Sequence, residues 1–233
     1  MKSSKIQNSM ELKMSKLNIV SFSSGKDSSA MLLRMIELNM PIDRIIFCDT
    51  KLEFPEMYKW IKEVSKKINK KIEFISGESW DKWFYGKWTR GKHLGEIRGF
   101  PFVISKNWCM RELKHKPMEK IFNSGDIIYL GIAYNEKQRI QKNNLKYKYP
   151  LIEWKWTEQD CLDYLKRRGL KYPLLKFKRT GCWLCPKQNL QSLKILMNDY
   201  PDLWKKLKQY EKDSPHGFKP NFSLKDFELK QNS

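Results

Sequence analysis

No stretch of the chain approaches the ~20 apolar residues of a membrane span. Residues 1–16 are polar and lack the apolar core of a signal peptide. The expectation is a cytoplasmic protein with no membrane partner. Internal repeats and low-complexity blocks are absent as well. Arginine is scarce: only nine of the 46 basic residues are Arg, in a chain also rich in Asn and Ile, which could reflect coding bias. Because Arg is the side chain that reads phosphate bidentately, the formal charge of +20 suits a polyanionic partner or phosphate-rich substrate less strongly than its size implies. Cysteine is limited to five residues. In a reducing compartment these read as thiols, metal ligands or catalytic groups, not a disulfide frame. What is present suffices for a core: 40% hydrophobic and 13% aromatic residues exclude whole-chain disorder. A length of 233 residues allows one large domain or a domain with an appendage.

A strand pattern at 17–22 runs into Ser23-Ser24-Gly25-Lys26-Asp27-Ser28-Ser29, and an apolar helical pattern follows at Met31, Leu32, Met35, Ile36 and Leu38. A second buried strand is expected at 45–48, which gives a strand, loop, helix, strand unit with parallel pairing and a right-handed crossover. Pro55 opens a helix whose apolar face is Met57, Trp60, Ile61, Val64 and Ile68, and a third strand follows at 72–75. Residues 76–105 break this alternation with Trp80, Trp83, Phe84, Tyr85 and Trp88 among Gly86, Gly91, Gly95 and Gly99; such a stretch either covers a site or folds into the core. Residues 111–122 read as a helix and 127–132 as a fourth strand. The character changes near Tyr149-Pro150: Thr157 caps a helix carrying Cys161, Leu162 and Leu165, and from Leu190 the pattern is helical with a break at Pro201. The polar tail after Ser214 is expected to be loose. This gives an α/β fold, with a nucleotide-binding unit at 1–150 and a smaller, mainly helical region at 151–233 that carries Gly181-Cys182-Trp183-Leu184-Cys185-Pro186.

A strand ending in a Ser/Gly turn that opens a helix aims several backbone N–H groups and the helix dipole at one spot, which makes an anion site. Lys26 adds charge there, and Ser23 and Ser28 add hydroxyl donors. The glycine spacing and Lys-Ser/Thr ending of a Walker A loop are absent. Cys182 and Cys185 form a CxxC, a spacing that lets two thiolates converge on one metal and that also serves redox pairs.

Residues 23–28 resemble the SGGxDS signature of the PP-loop ATP pyrophosphatase superfamily, with Ser24 replacing the first Gly. Later blocks narrow the resemblance to the phosphoadenosine phosphosulfate (PAPS) reductase family. They are Phe47-Cys48-Asp49-Thr50 with Glu53-Phe54-Pro55-Glu56, then Cys109-Met110-Arg111 with Lys114 and Pro117, then Pro150-Leu151 with residues 154–157, and finally residues 181–186. The resemblance implies a parallel twisted sheet flanked by helices, of the adenine nucleotide alpha hydrolase-like type. In it Ser23, Ser24, Gly25, Lys26, Asp27, Ser28 and Ser29 line the phosphates of ATP, Asp27 through Mg²⁺, while Cys48, Asp49 and Thr50 sit beside the nucleoside. Lys26, Asp27 and Ser28 are the implied catalytic residues, and Gly131, Glu136 and Arg139 belong to a further nucleotide-binding block, reduced here by Ala133 and Tyr134 where the family has arginines. PP-loop enzymes cut ATP between the α and β phosphates and adenylate an acceptor. The reductases instead use a thiol from a C-terminal cysteine, and no Cys follows Cys185.

By the same resemblance Cys109 joins Cys182 and Cys185 on a 4Fe-4S cluster, with zinc and free thiols as the alternatives. His115, His216 or Cys161 would be the fourth ligand, although Cys161 also reads as core, and Cys48 as simply buried. His93 reads as a loop residue, and Lys166-Arg167-Arg168 as complementing a helix end. Lys176, Lys178 and Arg179 are the better candidates for a polyanion contact. The favoured expectation is an enzyme that activates an acceptor for sulfur transfer to a nucleotide or nucleic acid, tRNA or DNA, served by a sulfur-donor protein. A sulfonucleotide reductase and a non-catalytic binding module are the alternatives.

Overall fold

The computed structural model describes residues 16–102, 107–141, 144, 146–177 and 181–232. Five strands form one sheet in the order β3-β2-β1-β4-β5, every neighbouring pair parallel. They are β1 (Asn18–Phe22), β2 (Arg44–Cys48), β3 (Glu73–Ile75), β4 (Ile127–Leu130) and β5 (Tyr147–Lys148). The central strand supplies Ile19, Val20 and Phe22 to the interior, the continuous apolar pattern of a strand covered by helices. Helix α1 (Lys26–Glu37) buries Ala30, Met31, Leu32 and Met35, and packs on a later helix, α7 (Glu158–Arg167). α2 (Pro55–Ile68) begins with its proline in the first turn, and the indole N–H of its Trp60 donates to Ser29 Oγ at 3.0 Å.

The aromatic stretch divides: α3 (Trp80–Phe84) buries Trp80 and Phe84 against Phe100 in the core, whereas Tyr85 and Phe102 stay exposed. The helix expected at 111–122 is composite. It comprises α4 (Trp108–Met110), a π-helical stretch Arg111–His115 and α5 (Lys116–Glu119). Pro117 has no N–H to give the Leu113 carbonyl, so the regular α-helical bond is impossible there.

After the short α6 (Pro150–Glu153), Thr157 caps α7 in a reciprocal box with Asp160. Then come α8 (Leu190–Asp199), α9 (Pro201–Asp213) and α10 (Leu224–Asn232). The tail past Ser214 is packed, contrary to the expectation. Phe218, Leu224 and Phe227 are buried, Glu211 accepts the Leu224 N–H, and Glu228 binds Lys208 and the Trp204 indole. Enough apolar residues punctuate this polar segment to anchor it.

Candidate nucleotide and thiol site

The loop between β1 and α1 is closed by its own hydroxyls. Ser28 Oγ donates to the Gly25 carbonyl at 3.1 Å and accepts from Ser23 N–H and Oγ at 3.3 and 3.0 Å. Ser29 Oγ donates to the same carbonyl at 2.9 Å. Ser24, where the related signature has glycine, is buried and adopts φ 60°, the left-handed conformation that costs a side-chain-bearing residue about 1–2 kcal/mol. Gly131, just past β4, packs so closely on the loop that a Cβ there would lie 2.6 Å from Ser28 Cα and 2.8 Å from its N.

Lys26 Nζ lies 2.5 Å from Glu158 and 3.3 Å from Asp27. Burial works against its charge, but these carboxylates outweigh burial and raise its pKa. The bond from Lys26 holds Glu158 below the usual glutamate range, and burial pushes Asp27 up. Asp27 Oδ1 is buried with no hydrogen-bond partner, so one carboxylate oxygen remains for a cation. Glu136 and Arg139 pair with each other on a 3-10 turn (Tyr134–Arg139) whose Asn135 binds Glu158. Asn135 and Glu158 therefore belong to the site, although motif reading missed them. The signal for Glu158 was its place directly after the Pro150–Thr157 block.

At the end of β2, buried Asp49 accepts bonds from Lys51 N–H, Lys51 Nζ and Tyr58 OH at 2.8, 2.6 and 2.8 Å, so it shapes the strand exit. Thr50 Oγ1 donates to Glu53 and lies 3.7 Å from Cys182 Sγ. The CxxC turn is tied to this exit by Trp183 N–H donating to the Leu52 carbonyl at 3.0 Å. Cys48 Sγ donates to the Leu113 carbonyl at 3.3 Å, the acceptor to which Pro117 cannot donate.

Lys114, to which its motif assigns no role, lies on the π-helical stretch. Burial opposes its charge, yet the surrounding Cys182, Glu53, Cys48 and Cys109 raise its pKa. Burial pushes the Cys48 and Cys109 thiols up to about 11 and Cys182 up to about 12, while Lys114 draws each of them down. Cys185 acts electrostatically on both Cys109 and Cys182, so these three sulfurs share one neighbourhood.

The proposed fourth ligands lie elsewhere. Cys161 is buried beside Asp27 and Lys26, His115 is exposed, and His216 bonds to the Phe100 carbonyl. Among the described residues no group of three or more His, Cys, Asp or Glu side chains is arranged to hold a metal ion. Three thiols with no fourth ligand beside them do not make a four-ligand zinc centre. Lys176 pairs with Asp199 and Arg168 with Glu37, whereas Lys178 and Arg179 lie outside the described residues.

Comparison with known proteins gives this arrangement a context. An uncharacterized protein of Methanocaldococcus jannaschii is 29% identical over 86% of this chain and 42% of its own length. A second from the same organism is 26% identical over 80% of this chain and 45% of its own, so the chain spans less than half of these relatives. A phosphoadenosine 5'-phosphosulfate reductase of Alteromonas mediterranea is 27% identical over 66% of this chain and 62% of its own. In fold, the chain is similar to the crystal structure of phosphoadenylyl-sulfate reductase from Candida auris, with a TM-score of 0.51 and 16% identity over 71% of this chain and 81% of that one. The family model for the phosphoadenosine phosphosulfate reductase domain matches residues 18–188, from β1 to just beyond the CxxC, and the chain belongs to that family.

Proposed function

We propose that the chain is an ATP-cleaving enzyme: it binds ATP on the β1–α1 loop, releases pyrophosphate, and adenylates an acceptor for sulfur transfer to a nucleotide or nucleic acid. The observation that carries this reading is the meeting of two sites: the phosphate-type loop opens at the end of β1, and at the adjacent end of β2 the Cys182 sulfur lies 3.7 Å from Thr50. A nucleotide spanning the two strand ends would have its phosphates by Lys26 and its nucleoside by Asp49 and Thr50, close to the thiols.

In this reading the acceptor oxygen attacks the α-phosphorus, the bond to the β-phosphate breaks, and pyrophosphate leaves; a sulfur nucleophile then displaces AMP from the activated acceptor. The chain's own contribution is electrostatic. Lys26 exchanges its carboxylate partners for phosphate oxygens, and the N–H groups opening α1 face the growing charge. Asp27 would hold Mg²⁺, which supplies neutralising charge to the departing pyrophosphate. Cys109, Cys182 and Cys185 are the thiols that would hold a 4Fe-4S cluster, and such a cluster would supply iron chemistry for sulfur transfer.

Incubating the chain with ATP, with and without tRNA or DNA, tests the reading. AMP and pyrophosphate should form together, and Lys26→Ala should sharply lower the formation of both. The family match favours a second reading, reduction of a sulfonucleotide; sulfite released from PAPS or adenylylsulfate, with no pyrophosphate from ATP, would establish it instead. Nucleotide binding without release of any product would leave a non-catalytic module. Anaerobic purification with iron and sulfide analysis tests the cluster, and active protein that is colourless and free of metal would refute it.

A further inference from the structure

We infer that the aromatic surface of residues 83–102, with Trp108 and His216, docks unpaired nucleotides of a single-stranded nucleic acid. This rests on the proposed function in taking a nucleic acid as the acceptor. Rings and one guanidinium follow one another along this surface. Trp83 stacks on Trp108 with centroids 6.3 Å apart and planes 26° apart, and Arg98 lies 4.8 Å from the Trp83 ring and 5.6 Å from the Trp88 ring. The row continues from Trp88 to His93 at 6.5 Å and to Phe102 at 6.4 Å, and Phe102 stacks on His216 at 4.5 Å and 20°. Backbone bonds hold the excursion in shape, Trp88 N–H to Glu96 O and Gly95 N–H to Trp88 O, both at 2.9 Å, around a turn made by Gly91 and Gly95 at φ 84°.

Two independent features point to the ligand. Tyr85, Leu94, Ile97 and Phe102 are exposed, so four of the ten exposed large apolar side chains fall in this one segment. Lys87, Arg90 and Lys92 are exposed beside them with no carboxylate partner among the described residues, while Glu96 is engaged by His93. Aromatic faces and unpaired cations match bases that stack and the phosphates between them. A duplex hides its base faces, and an acidic peptide would leave the rings unused.

The surface also leads to the thiols. Trp108 precedes Cys109, and past His216 the chain reaches Lys219, which bonds to the Gln188 carbonyl close to Cys185.

Fluorescence anisotropy with a labelled oligouridylate, the matching duplex and polyglutamate tests the inference on the full chain. The unpaired strand should bind at least about tenfold more tightly than either competitor, and Trp88→Ala should weaken it about tenfold while Trp88→Phe retains most of the affinity. The paired variant Arg90→Glu/Lys92→Glu sits on an exposed turn where folding is not at stake; it should weaken binding and flatten its salt dependence. Equal affinity for duplex or polyglutamate, unchanged affinity in Trp88→Ala and in the turn variant, or no binding at low salt overturns it. Lys26→Ala should bind the oligonucleotide like wild type. Loss of docking with ATP cleavage intact removes this inference alone, and intact docking without any ATP cleavage removes the function proposed above alone.

Discussion

In the loop at 23–29 the hydroxyls of Ser23, Ser28 and Ser29 are engaged with one another or with the Gly25 carbonyl, and the Lys26 ammonium sits between two carboxylates. Around Lys114 the opposite holds: the thiols are kept neutral by burial, and the ammonium has no hydrogen-bond partner among the described residues. The loop owes its shape to main-chain geometry that the chain completes by itself. The thiol site owes its character to exclusion from water, and a bound group that draws protons off sulfur would change it most.

The sharpest way to break this contrast is Lys26→Ala, which should lower turnover of ATP to AMP by on the order of 10²–10³ while leaving the melting temperature nearly unchanged. Equal losses in rate and stability would mean that Lys26 only braces the loop. Gly131→Ala presses a methyl into the Ser28 backbone and should destabilise the fold by about 1–3 kcal/mol, read as a lower melting temperature together with weaker nucleotide binding. On the thiol side, thiolate forms only as the pH climbs toward about 11 at Cys109 and about 12 at Cys182, so alkylation of metal-free protein should rise steeply above neutrality. Lys114→Gln removes the charge that draws these thiols down and should slow alkylation further, by up to about tenfold, one pKa unit, in a mass-spectrometric time course.

Smaller effects probe the loop's own strain and charge. Ser24→Gly should stabilise the fold by about 0.5–1 kcal/mol, because relief of the left-handed conformation exceeds the added freedom of the unfolded chain. Glu158 is held low by Lys26, so its contribution is present above the ordinary value of 4.5 and lost as the pH falls through its lowered folded value. Solvent reaches this pair, which limits the deficit of Glu158→Gln at neutral pH to about 0.5 kcal/mol. Melting curves of the two proteins should converge as the buffer is taken below 4.5.

What could be read in advance follows from how local each signal is. The first four strands, the loop and the helix cap at Thr157 are written in contiguous residues, and all are found within a few positions. Residues 76–105 left two readings open because tryptophans among glycines carry no period, and the fold buries Trp80, Phe84 and Phe100 while leaving Tyr85 and Phe102 exposed. The packing of the tail is not legible in the sequence because Phe218, Leu224 and Phe227 are too widely spaced to show a pattern until α9 lies beneath them. The meeting of Cys48 with the Lys114 segment joins a strand end to a helix that follows much later in the chain, and no spacing rule encodes that contact.

That last contact couples two positions in heredity. Pro117 cannot serve the Leu113 carbonyl, so the backbone bond a helix would make within itself is replaced by a side chain on another element. A lineage that replaced Pro117 would offer the Leu113 carbonyl a backbone donor and relax the demand on Cys48; one that lost Cys48 would take away the side-chain donor that this carbonyl has in the present fold. The two residues should be kept or lost together.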